Sequence, residues 1–183
     1  MTDVPSKHRI AGQRTLFIAI AVAGIVLDRI TKIAVSSMLA TGQAMPFLPG
    51  VMDILLVYNT GAAWGMLEGA FWFFLLIALG VTAGVTVYVF KAKNHTWFEI
   101  AALGLIVAGA LGNLYDRVFY GRVVDFFHTL FIDFPVFNVA DSCITVGVIM
   151  LAVFFIFSPN SPFSEKPGEG KEEEEENEGD ARR

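Results

Sequence analysis

Charge is scarce in this chain and badly placed for a soluble protein. Charged residues make up 17% of 183 positions against 55% apolar, where a soluble domain normally carries about 25% charged residues to wet its surface. Most of those charges crowd into the first fourteen residues and the stretch after Ser158, leaving long apolar runs between them. That distribution excludes an ordinary soluble domain and belongs to a membrane protein. Cysteine is scarcer still. Cys143 is the single one, so no internal disulfide forms, and His8, His95 and His128 are scattered without metal-ligand spacing. Neither a metal nor another cofactor is expected. No basic-aromatic patch points to nucleic acid. The net charge of -5 owes much to Glu172 through Glu176, Glu178 and Asp180, without which the balance turns basic. Its sign therefore says nothing about partners.

What is present is a set of apolar segments of spanning length. A membrane helix needs roughly 20 mostly apolar residues, and four stretches qualify. They are about Thr15 to Met38, Phe71 to Phe90, Phe98 to Asp116, and Val139 to Phe157. The first follows Lys7, Arg9 and Arg14 as a signal peptide would, but it runs on past Asp28 without a small-residue cleavage site. The expected fold is an all-α membrane protein of four transmembrane helices. Basic residues favour the cytoplasmic side. Lys7, Arg9 and Arg14 precede the first span and Lys91 and Lys93 separate the second from the third, whereas residues 41–70 hold no Lys or Arg. Both termini are thus expected in the cytoplasm. Arg117 and Arg122 run against this rule, and local pairing with Asp116 and Asp125 is the expected explanation.

The connection from Ala40 to Gly69 is long for a hairpin. Within it VMDILLVYN, bounded by Pro46, Pro49 and Gly50 and by Asn59 to Gly61, reads as one or two strands at the membrane surface. This makes a small extracytoplasmic β-cradle over about residues 41–68. Three units follow: a cytoplasmic segment 1–14, a membrane domain 15–157, and an acidic tail 158–183 expected to be disordered.

Polar residues inside spans are expensive and mark function by default. Here Asp28, Arg29 and Lys32 in the first span, Asn113, Asp116 and Arg117 in the third, Asp125 just beyond it, and Asn138 and Asp141 opening the fourth all map to one depth. Each also has a plain structural reading. Asp28 and Lys32 are four apart, the spacing of an intrahelical ion pair. Asn138 can cap the fourth helix, and Asn59 to Gly61 can be a turn. Cys143 reads as packing, and Asp53, Glu68, Glu99 and Asp133 read as solvated or interfacial acids. No Ser–His or Ser–Lys arrangement stands out, but carboxylates are abundant. Two close aspartates share a proton, so one can act as base while the other acts as acid. Asp125 and Asp141 rank first on topology because they end the third-span region and begin the fourth. Asp116 and Asp28 are competitors.

At these positions DRITK (28–32), YNTGAAWG (58–65), GALGNLYDR (109–117), VVDFF (123–127) and FNVADS (137–142) follow one another in order and spacing. Together they resemble the blocks of lipoprotein signal peptidase, or signal peptidase II, over roughly residues 20–157. The resemblance implies an aspartic endopeptidase of the bacterial cytoplasmic membrane. It would cut diacylglyceryl-modified prolipoproteins before the lipidated cysteine, at the outer face, by direct attack of water. It implies Asp125 and Asp141 as catalytic. Asp28, Lys32, Asn59, Gly61, Asn113, Asp116, Arg117, Asn138 and Ala140 would support them or bind substrate. It also implies a periplasmic helix beside the cradle, membrane lipid as a partner, and the cyclic peptide globomycin as an inhibitor. Arg29 stands where the family often has glutamine, and Trp64 where it often has phenylalanine. The alternative is a small proton-coupled transporter, which would place its polar groups near the midplane and often show repeats.

Overall fold

The computed structural model describes residues 6–61 and 70–157. Four helices in it, α1 (Lys7–Met38), α2 (Phe71–Lys91), α3 (Trp97–Tyr120) and α4 (Val139–Phe157), are long and apolar enough to cross a membrane. They fall on the four apolar runs. α1 begins at Lys7 rather than near Thr15, because the Ser6 hydroxyl accepts from the Arg9 N–H and caps it there.

α3 is the central helix. It is buried along nearly its whole length against α1, α2 and α4, which expose large apolar side chains such as Trp72, Leu76, Ile156 and Phe157. These are the surfaces that lipid would cover. In lipid, helix association rests on close packing rather than on burial from water. Gly109 shows how close: a Cβ there would stand 2.2 Å from the Ala140 carbonyl oxygen. Cys143 is half-buried, its Sγ 3.7 Å from where a Cβ on Gly24 would lie, which fits a packing role between α4 and α1.

Three antiparallel strands, β1 (Ala44–Leu48), β2 (Met52–Asn59) and β3 (Val123–Thr129), form one sheet in the order β1-β2-β3. Two come from the long connection, as its composition suggested. The third was not foreseen. Gly121, at φ 67°, ends α3 in a left-handed cap, and VVDFFHT, rich in branched and aromatic side chains, then pairs with β2. Asp125 thus stands on a strand, not at the end of the third span. Ile54, Leu56, Val124 and Phe126 pack with Val35 and Leu39 and seat the sheet on one end of α1.

One expectation fails outright at the other end of the bundle. Glu99 is 4% exposed, not a solvated acid. It forms a capping box with Thr96 and accepts from Tyr88 Oη at 2.7 Å, while His95 Nδ1 lies 3.2 Å away. The expectations for residues 62–69, Trp64 and Glu68 among them, and for the tail lie outside the described residues. The periplasmic helix has no counterpart among those described.

Candidate active site

Each polar block contributes one layer at the sheet end of the bundle. α1 turns Asp28 and Lys32 inward as an i,i+4 pair, 2.8 Å apart and both at most 1% exposed. The Lys32 ammonium also reaches Asp116 Oδ2 at 2.9 Å and donates to Asn113 Oδ1 at 3.1 Å, both on α3. The ammonium thus sits between two carboxylates and one amide oxygen. Arg29 forms a second ion pair with Asp116 and lies over the Tyr115 ring. Two acids and two cations therefore cancel in the interior. Removing one member of such a cluster leaves an uncompensated charge, at a cost of about 3–5 kcal/mol.

Both of these acids also accept a backbone N–H. Asp28 Oδ1 accepts the Ala140 N–H at 3.0 Å and Asp116 Oδ2 the Val124 N–H at 3.3 Å. The first holds the start of α4 and the second the start of β3. Gly112 makes room for the first contact, since a Cβ there would lie 2.9 Å from Asp28 Oδ2.

The layer above holds Asp125 and Asp141. Asn138 caps α4: its Oδ1 accepts the Asp141 N–H at 2.9 Å, and its own N–H donates to Asp141 Oδ2 at 3.1 Å. The Asn138 amide also donates to Asp125 Oδ1 at 2.7 Å and to Asn113 Oδ1 at 3.0 Å. Asn113 in turn donates to Asp141 Oδ1 at 2.7 Å, and Asn59 to Asp125 Oδ2 at 2.9 Å. Lys32 on Asn113 Oδ1 settles which way that amide points, with its NH2 towards Asp141. Three asparagines thus hold two carboxylates without neutralising either.

Asp125 and Asp141 line one cavity of about 510 Å³, walled by Phe134, Pro135, Val136, Phe137 and Val146, with Ser142 and Thr145 on the α4 side. Burial and the neighbouring Asp141 charge push Asp125 up from 3.8 to about 6, against the pull of Asn59, Asn138 and Lys32. Among the described residues no cluster of His, Cys, Asp and Glu is arranged to hold a metal ion.

Every site residue drawn from the sequence is at this end. Asn59 keeps both its readings, since its Oδ1 accepts the Gly61 N–H at 2.8 Å while its amide holds Asp125. Arg117 does not pair with Asp116. It donates to the Asn113 carbonyl at 3.4 Å and the Gly61 carbonyl at 3.2 Å and covers the Phe74 ring. Arg122 does not pair with Asp125 either, but lies over Tyr58. In both cases the acid is already taken by groups deeper in the fold. The cavity residues Phe134 to Phe137, Ser142 and Thr145 were not foreseen. Ser142 and Thr145 had a signal, since positions 138, 141, 142 and 145 recur on one helical face.

Four spanning helices around a coupled carboxylate pair that opens into a largely apolar cavity define a multi-pass membrane protein with an assembled chemical site. The chain belongs to the signal peptidase II family, a family of bacterial membrane proteases whose model, described as Signal peptidase (SPase) II, matches residues 20–157. It is 46% identical over 140 residues to the lipoprotein signal peptidase of Geobacillus kaustophilus, covering 75% of this chain and 91% of that one. To that of Geobacillus thermodenitrificans it is 42% identical over 144 residues, covering 78% and 90%. A solved structure described as a bacterial membrane enzyme superposes with a TM-score of 0.74 at 36% identity, over 82% of this chain and 92% of that one.

Proposed function

We propose that this chain is an aspartic endopeptidase that removes signal peptides from diacylglyceryl-modified prolipoproteins, cutting before the lipidated cysteine, with Asp125 and Asp141 as its catalytic pair. One observation carries the reading. Of the acids buried at the sheet end, Asp28 and Asp116 are neutralised by Lys32 and Arg29, whereas Asp125 and Asp141 face a shared cavity and meet only amides and a backbone N–H.

Asp125, raised by burial and by Asp141, keeps the shared proton. Asp141 then takes a proton from water, the hydroxide adds to the scissile carbonyl carbon, and Asp125 delivers its proton to the carbonyl oxygen. Collapse of the resulting diol returns a hydroxyl proton to Asp125 and expels the amine, which receives the proton held by Asp141. No covalent intermediate and no cofactor enter this sequence. The substrate's lipid stays in the bilayer and brings the bond to the site, so that positioning replaces much of the binding a soluble protease must build.

The Lys and Arg distribution supports both termini in the cytoplasm and the sheet end outward. On this orientation residues 1–14 and the acidic tail 158–183 flank the membrane domain on the inner side. The transporter reading finds no support in the geometry, because the polar groups collect at one end rather than at the midplane.

The test is cleavage of a lipidated prolipoprotein by the purified protein in detergent, with and without globomycin. Release of the signal peptide that globomycin blocks is expected. An intact substrate under conditions where a known relative cleaves it would refute the assignment.

A further inference from the structure

A second cavity, of about 380 Å³, lies at the same end of the bundle on the other face of the sheet. Successive strand residues point to opposite faces. Asn59 and Asp125 line the catalytic cavity, while their neighbours Tyr58 and Val124 line this one, together with Arg29, Ser36 and Arg122. Its charge is not balanced. Lys32 and Arg29 are matched by Asp28 and Asp116, but Arg122 has no carboxylate partner among the described residues. Its guanidinium lies 3.7 Å from the centre of the Tyr58 ring, stacked rather than paired, so its N–H donors are free to bind. Arg29 uses one nitrogen on Asp116 and is held beside Tyr115 and Tyr120, at 4.5 and 5.5 Å from their centres. The Ser36 hydroxyl makes no hydrogen bond among the described residues. Excess positive charge, two guanidinium groups and the free Ser36 hydroxyl around one small cavity suit the oxygens of a phosphate.

We propose that this cavity binds the phosphate of an anionic phospholipid headgroup. A lipid, rather than a free anion, follows from what flanks the cavity. Ile33, which lines it, is 59% exposed, and Ile30 and Phe119, next in sequence to its lining residues Arg29 and Tyr120, are 59% and 65% exposed, on helices long and apolar enough to span the membrane. Acyl chains would lie along these side chains while the headgroup enters between Arg29 and Arg122. Because the bound phosphate would grip the Tyr58 and Val124 face, it would also steady Asn59 and Asp125 on the opposite face.

The test uses the full chain in neutral detergent micelles. Thermal unfolding and cleavage rate are followed as phosphatidylglycerol, phosphatidylcholine or inorganic phosphate is added. Phosphatidylglycerol should raise both the melting temperature and the rate, and do so more than phosphatidylcholine or phosphate at equal concentration. Arg122→Gln should weaken the apparent affinity for phosphatidylglycerol about tenfold, the loss expected for one charge-assisted hydrogen bond. Lys91→Gln, at the far end of α2, should respond as the unmodified chain does. Arg122 is exposed, so its variant should fold. If it does not, Ser36→Leu blocks the same cavity from the exposed side of α1 and should also lose the response. A phosphatidylglycerol response that survives both substitutions would overturn the site. An equal response to inorganic phosphate would overturn the lipid as its occupant.

Discussion

Two buried polar clusters stand at opposite ends of one bundle, and only one of them resembles a site. At the far end Gln13 donates to the His95 carbonyl at 2.7 Å, and Glu99 gathers Tyr88, His95 and the Thr96 N–H. A single acid there is surrounded by donors, which is the arrangement that makes a buried carboxylate tolerable. At the sheet end Lys32 and Arg29 neutralise Asp28 and Asp116, Arg117 is turned to backbone carbonyls and Arg122 to Tyr58, and Asp125 and Asp141 face a cavity without an ion pair. Burial of charge is therefore not what marks the functional end. The mark is a pair of acids left without an ion-pair partner and opening into a cavity.

The most severe break of this contrast is at the unneutralised pair. Asp125→Asn and Asp141→Asn keep size and hydrogen bonding but remove ionisation, and each should lower cleavage on the order of 10⁴-fold with little loss of folding. The double variant should be no worse than either single one, while Asp133→Asn, on the connection before α4, should stay active. Near-normal cleavage by either dyad variant, alongside a folded but dead Asp116→Asn, would show that the wrong pair was chosen.

Next in size is the cation that serves two acids. Lys32→Ala leaves Asp28 and Asp116 with Arg29 alone, and should cost about 3–5 kcal/mol of stability. Activity should fall together with melting temperature. A stable variant with full activity would mean that the inner layer does not hold up the outer one.

The far cluster should behave differently. Glu99→Ala strands Tyr88, His95 and the Thr96 N–H, so about 1–3 kcal/mol of stability should be lost. Cleavage per folded molecule should stay within about twofold, in keeping with a cost confined to stability. A selective loss of rate at unchanged stability would erase the distinction between the two ends.

The smallest effect sharpens the assignment of roles within the pair. Asp125 holds its proton up to about pH 6, so kcat/KM of the free enzyme should fall as the pH rises through that value and the acid is lost. The Asn59 hydrogen bond favours the ionised form of Asp125 and lowers its affinity for the proton. Asn59→Ala should therefore move the falling limb to higher pH. A limb that moves down, or stays in place while the rate drops, would assign the proton to Asp141 instead.

Much of this was legible in the residues. Spans read correctly because crossing hydrocarbon demands a long apolar run whatever the neighbours do, and the common depth of Asp28, Asn113, Asp125 and Asp141 follows from position along those runs. Less visible was β3, since VVDFFHT is too short to separate from a fraying helix end, and only Gly121 and the pairing with β2 settle it. Glu99 was misjudged because a helix N-terminus near the membrane surface is usually wet. Its burial depends on Tyr88 and Gln13, which arrive from other helices.

By itself, then, the sequence determined that this protein lives in a membrane, how often it crosses, and which residues gather at one end. Those properties are set by hydrophobic length and by order along the chain. Only the tertiary structure decided how the acids divide, with Asp28 and Asp116 neutralised and Asp125 and Asp141 left facing a cavity. That division depends on which cation reaches which carboxylate across α1, α3, β3 and α4, and contacts between segments as much as 112 residues apart leave no periodic trace in the sequence.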